Sequence, residues 1–272
     1  MKLLYLPLNL ILLLFFACSS PAAKKPQDTA PKADTTATMD TSAAVATASS
    51  ATTVGQSTVF PDESLKPYGL DTVKSLMKKV KFEEDSSGGD GGTEALDDKT
   101  YASLSFEQKF TYHMIHPESF SQNCDILPER KDEANRIYGH LPDIFGEYEW
   151  SERQLNFFKN NRLAVEKLMK PIIQKGNTIG ANYEEAIVEM NAKEMIPFLI
   201  DYYNRQKKDH YILTVLMLLM KNNQYPEFMN STSYTKLYGS EDGEYSAYLV
   251  YNKANEDLIF KRAMNFYNGL SK

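Results

Sequence analysis

The chain has 272 residues, with 30 Lys and Arg against 36 Asp and Glu, a formal charge of −6 at neutral pH, and 42% hydrophobic residues. This acidic balance argues against a nucleic-acid binder, which carries a basic patch or stripe and usually a basic total. Past the N-terminus the longest apolar run covers residues 212–220, too short to cross a bilayer.

The chain opens with Met1 and Lys2, then an apolar run over residues 3–16, interrupted only by Pro7 and Asn9, that stops at Ala17 and Cys18. It too falls short of the about 20 apolar residues that span a membrane. A positive start, a short apolar stretch and a small residue before the cut site define a secretory signal peptide over residues 1–17. Its ending, Phe15-Phe16-Ala17-Cys18, resembles the lipobox of bacterial lipoproteins. The resemblance implies that the Cys18 thiol is acylated and becomes the mature N-terminus, with the two or more acyl chains that stable anchoring takes. Ser19 stands where inner-membrane retention would place Asp, so the same analogy points to the outer membrane, facing the periplasm. After cleavage, 29 basic and 36 acidic side chains remain, and Cys124 has no partner within the chain, so no intrachain disulfide is expected.

Residues 18–59 read as the lipidated Cys followed by a disordered tether. From Ser19 onward the segment has no aromatic, Leu or Ile and is rich in Ala, Thr, Ser and Pro, too little apolar surface to offset the entropy of ordering. As a flexible coil it reaches roughly 35 to 40 Å. Residues 60–100 hold one short helix, with Val73, Leu76, Met77 and Val80 at helical spacing, and then the acidic, Gly-rich "EEDSSGGDGG". That stretch lacks the alternating oxygen ligands of an EF-hand and reads as a linker.

The main domain, 101–272, reads as all-α. Ser105-Phe-Glu-Gln108 and Ser151-Glu-Arg-Gln154 each have the form of a capping box, in which the Ser oxygen takes an orphan N–H and the Gln reaches back. After Ser151 the residues Leu155, Phe158, Val165, Leu168 and Ile172 form one helical stripe that Gly176 ends. Between the two boxes, Pro128 opens and Gly139 closes a short helix. Asn191-Ala-Lys-Glu194 opens another, with Pro197 as a kink inside it. Residues 192–203 and 209–222 resemble a HEAT-type helical hairpin, in which a first helix with an early Pro is joined by a polar turn to a more apolar second helix. This implies stacked helical hairpins or an irregular helical array.

The constellation with most chemistry is His113-Met-Ile-His116 with Cys124 eight residues on. Imidazoles and a thiolate suit zinc, and a Cys with a His and Asn123 suits nucleophilic catalysis. The spacing is equally that of a core histidine on the Phe106 and Phe110 stripe, a helix-end His116 and a small buried Cys, so no metal, cofactor or catalytic residue is assigned. Asp143, Glu147 and Glu149 near Trp150 read as solvated charges beside a core anchor rather than a glycosidase pair.

Tyrosine stands out, with 11 of 17 falling between Tyr183 and Tyr267. In residues 244–270, Ala247, Tyr251, Ala254 and Leu258 form one helical stripe, and Ile259, Ala263, Phe266 and Leu270 a second about 100° around. Such a helix is either covered on two sides or broken near Asn255, which would leave Tyr245 and Tyr248 partly exposed as a partner-docking surface. The expected function is a lipid-anchored, non-enzymatic envelope protein whose helical domain binds another envelope protein. A glycan or peptidoglycan binder and a metal- or thiol-dependent hydrolase are the alternatives.

Overall fold

The computed structural model describes residues 68–84, 91–122, 130–239 and 245–270. Cys18, the tether, Asn123, Cys124 and Pro128 lie outside the described residues. Most of what is described is helical, but short antiparallel strands run between the helices, which corrects the all-α expectation.

Helix α1 (Leu70–Met77) buries Leu70 and Val73, and packs against α3 (Phe106–Ile115). With Leu96, Leu104 and Tyr112, Val73 forms a small core of its own, so residues 70–77 are built into the same body as those after Tyr101. Helix α2 (Asp98–Ser103) starts where the Asp97 side chain accepts the Thr100 amide at 3.0 Å. Helix α3 starts at the expected capping box, with Gln108 N–H to Ser105 Oγ at 3.2 Å and Ser105 N–H to Gln108 Oε1 at 3.0 Å. It stops at His116, which Pro117 holds in an extended conformation.

The strands are β1 (Phe82–Glu84), β2 (Gly91–Glu94), β3 (Ser119–Ser121), β4 (Arg136–Tyr138), β5 (Tyr148–Glu149) and β6 (Tyr248–Val250). A four-stranded antiparallel sheet runs β1-β2-β3-β5, and β4 pairs with β6 in a separate ribbon. Two to four residues are too few to display alternation, and β2 begins Gly91-Gly92, which propensity disfavours in a strand. The helix expected to close at Gly139 is instead a 3-10 turn, Glu133–Asn135, leading directly into β4, whose Ile137 is buried by pairing with Leu249.

The larger core gathers around α8 (Tyr211–Asn222), whose residues 212–220 are all buried. Packed against it are α6 (Ala181–Glu189), α7 (Ile196–Gln206) and α11 (Lys253–Gly269), and α7, which begins after a 3-10 turn at Lys193–Met195, is joined to α8 by a short turn. Pro197 lies in the first turn of α7, where its missing N–H has no partner to lose, and so does not kink the helix. The capping box at Ser151 opens α4 (Glu152–Asn160), but the helix breaks at Asn161 before α5 (Arg162–Lys175). Asn161 turns its Nδ2 back onto the Phe157 carbonyl at 2.8 Å, and beyond the break Met169 and Ile173, not Leu168 and Ile172, are fully buried. Two short helices, α9 (Pro226–Met229) and α10 (Thr232–Tyr238), lead back to β6.

The C-terminal stretch is also corrected. Tyr248 belongs to a strand, and the helix begins at Lys253, capped by Asn252, whose Oδ1 accepts the Asn255 amide at 2.9 Å. The break therefore falls three residues before Asn255. Ile259, Ala263 and Phe266 form the buried stripe of α11, while Leu270 is exposed. Among the described residues no helix is long and apolar enough to cross a membrane.

Candidate functional site

The β4–β6 ribbon organises the most distinctive surface. In its register Ile137 faces Leu249, both buried, while Arg136 pairs with Val250 and Tyr138 with Tyr248. Thr214 of α8 pins the ribbon by donating to the Tyr138 carbonyl at 2.9 Å. Because side chains alternate along a strand, Arg136, Tyr138, Tyr248 and Val250 share the face opposite Ile137 and Leu249, on which Tyr138 is buried, Arg136 and Tyr248 half-buried and Val250 exposed. The Arg136 guanidinium lies 4.1 Å from the Tyr248 ring centre, and the Lys236 ammonium 5.7 Å from it. Tyr138 is fixed beneath by its hydroxyl, which donates to the Lys131 carbonyl at 2.7 Å and accepts the Lys131 amide at 3.1 Å.

Tyr245 extends this surface. It is 52% exposed, and its ring lies 5.1 Å from His140, which in turn sits 5.6 Å from Tyr238. The Tyr238 hydroxyl donates to the Gly139 carbonyl at 2.7 Å, and the Lys221 ammonium lies 4.4 Å from its ring. Arg130 sits over Tyr138 and bonds the carbonyls of His140 and Leu141. Tyr248 thus lies against the cations Arg136 and Lys236, and Tyr245 against His140, whose other neighbour Tyr238 carries Lys221, in a chain of net negative charge. Neither ring packs into the large core, and neither Arg136 nor Lys236 has an ion-pair partner among the described residues. The sequence found the tyrosines through a helical pattern that is not there. It missed the cations, since Arg136 and Lys236 come from elements far apart in the chain.

The other sequence candidates among the described residues sit in structural contacts. His113 is fully buried, with its ring stacked 5.7 Å from Tyr101, edge-on to Phe157 at 4.6 Å, and its Nε2 3.2 Å from the Tyr101 hydroxyl. Burial, and then the charges of Arg153 and Lys109, push its pKa down to about 3, so it stays neutral. The His116 Nε2 lies 2.6 Å from the Glu94 carbonyl oxygen. Among the described residues no three His, Cys, Asp or Glu side chains converge as a metal site would require. Asp143 Oδ1 accepts the amides of Phe145 and Gly146 and shapes a turn, and buried Trp150 donates its indole N–H to the His113 carbonyl at 2.8 Å.

Three of the buried carboxylates were not singled out in the sequence. Glu118 accepts from Arg153, from Tyr112 at 2.8 Å and from Ser151 at 2.5 Å. Glu184 is buried against Asp209, itself accepting the Ile179 amide at 3.0 Å; burial first, then the Asp209 charge and their shared hydrogen bond, raise the Glu184 pKa well above the carboxylate range. Glu256 Oε2 accepts from Tyr251 at 3.0 Å and Tyr203 at 3.1 Å, while Oε1 meets Lys253 at 3.1 Å. Burial pushes Glu256 upward, but these partners outweigh it and hold its pKa below the ordinary value. Glu118 and Glu256 are enclosed and paired with cations, whereas Glu184 keeps a buried Oε1 without a hydrogen-bond partner among the described residues.

No protein-family description matches this sequence, and no curated protein or solved structure is significantly similar to it.

Proposed function

We propose that this chain is a lipid-anchored, outer-membrane protein of the periplasmic face whose helical domain docks another envelope protein, without catalysis of its own. The observation that carries the reading is the pair of exposed Tyr245 and half-buried Tyr248, whose rings lie outside the large core, with Arg136 and Lys236 against the Tyr248 ring. Tyr joins a large apolar surface to a polar tip and, with Arg, is enriched at protein interfaces. The signal-like run ending in Ala17-Cys18 supports the anchor, and the Ala/Thr/Ser/Pro-rich segment after it suits a spacer.

Two substitutions test the two halves. Cys18→Ser should move the protein from washed membranes into the soluble fraction, and persistence in the membranes contradicts the anchor. Tyr245→Ala with Tyr248→Ala should weaken the partner complex by about 30-fold, as loss of an interface hot spot worth about 2 kcal/mol does, with helical content retained. Undiminished binding contradicts the site.

A further inference from the structure

The four-stranded sheet carries a second ring surface of opposite charge. Directly paired residues share a face, so the register Phe82↔Glu94, Glu84↔Gly92, Gly92↔Phe120 and Phe120↔Tyr148 places three rings and two carboxylates on one side. Phe82 meets Phe120 at 5.5 Å between ring centres, and Phe120 meets Tyr148 at 5.2 Å. Gly92 makes room: a Cβ there would fall 2.3 Å from Phe82 Cζ, so the ring lies across bare backbone. Phe82 is 43% exposed, and none of the three rings packs into either hydrophobic core. Glu84 is exposed and Glu94 half-buried, bonded to the Tyr148 hydroxyl. Aromatic surface left outside the core and rimmed by charge marks a contact site.

This face and the Tyr245–Tyr248 face are complementary in the two properties that matter at an interface. Both offer rings, and one offers carboxylates where the other offers Arg136 and Lys236 without ion-pair partners among the described residues. We propose that the partner is a second copy of this chain, whose Phe82–Phe120–Tyr148 face receives the Tyr245–Tyr248 face of its neighbour; this rests on the docking reading above and names its partner. The contact joins two different patches, so it is heterologous and extends into a row or closes into a ring. Anchoring in one membrane would hold copies at high local concentration, which lets a weak contact form.

The test is sedimentation of the full chain in a non-ionic detergent over a range of concentrations, at low and high salt. The mean mass should rise with concentration at low salt and fall towards that of one chain at high salt. Arg136→Glu with Lys236→Glu, or Glu84→Lys with Glu94→Lys, should each weaken association at least about tenfold, because each sets like charges against each other. Mixing the two reversed proteins should restore it, as each supplies the face that the other has lost. Circular dichroism verifies folding, and Glu84→Gln with Glu94→Gln, expected to weaken association less, replaces the Lys pair should that variant unfold. A wild type that stays a single chain at every concentration overturns the self-association while leaving the docking reading intact if the Tyr245 and Tyr248 substitutions still abolish a complex with another protein. Association that neither reversal weakens, or that mixing fails to restore, shows that these two faces do not meet.

Discussion

Replacing Arg153 with Met should cost about 3 to 5 kcal/mol, the penalty for leaving a buried carboxylate without its cation. The Glu118 side chain is 2% exposed, and Arg153 grips it through Nε at 3.1 and 3.0 Å to its two oxygens and through Nη2 at 2.5 Å. The same Nη2 bonds the Leu96 carbonyl at 2.7 Å, and Tyr101 lies 4.2 Å beneath the guanidinium. By contrast the 3.2 Å pair with Asp98 reaches a fully exposed carboxylate, where solvent screening leaves it little weight. After the substitution Glu118 keeps only the hydroxyls of Tyr112 and Ser151. At about 2 to 4 °C per kcal/mol for a body of this size, the thermal midpoint should fall by roughly 6 to 20 °C. Urea unfolding measures the loss directly. Removing both charges, Glu118→Leu with Arg153→Met, should cost less than Arg153→Met alone plus Glu118→Leu alone, since no uncompensated charge stays buried. A single-variant loss below about 1 kcal/mol would show that the pair is screened as a surface pair is.

Glu184 and Glu256 should respond to pH in opposite directions. Glu184 has a raised folded pKa, so its stabilising effect is full below the unfolded value of a carboxyl and is lost as pH rises towards the folded one; Glu184→Gln should gain stability over wild type as pH rises through neutrality. Glu256 has a lowered folded pKa, so its contribution is present at neutral pH and lost as pH falls through that value; Glu256→Gln should cost stability at neutral pH, with the deficit shrinking in acid. Thermal midpoints across pH read both, and parallel curves for variant and wild type contradict the assignments. Gly92→Ala should destabilise by about 1 to 3 kcal/mol, since its Cβ meets not only Phe82 but the Glu83 carbonyl oxygen at 2.7 Å; an unchanged urea midpoint contradicts the packing described.

What could be read from the sequence was what is decided locally. The Ser105 and Ser151 boxes each close within three residues, and the apolar run of α8 identifies itself as a buried helix. The strands were hidden because each is stabilised by a partner elsewhere in the chain: Ile137 has meaning only opposite Leu249, and Gly92 only beneath Phe82. The break at Asn161 was hidden for a different reason, since apolar residues at helical spacing continue across it while the buried stripe moves by one residue. The site was half legible. Tyrosine density drew attention to Tyr245 and Tyr248, but Tyr248 is placed by a ribbon, and its cationic neighbours are set by tertiary contacts of β6 with β4 and α10. The carboxylates followed the same rule, as Glu118 and Arg153 stand 35 residues apart.

The central claim, that the Tyr245–Tyr248 face docks a protein, is tested most directly by placing a photoreactive phenylalanine analogue at position 245 and irradiating intact cells. Position 163, also exposed but on α5, serves as the control. The account expects a discrete covalent adduct from position 245, with a mass set by one protein partner, and none of that mass from position 163. The same adducts from both positions, or none from position 245, would contradict it.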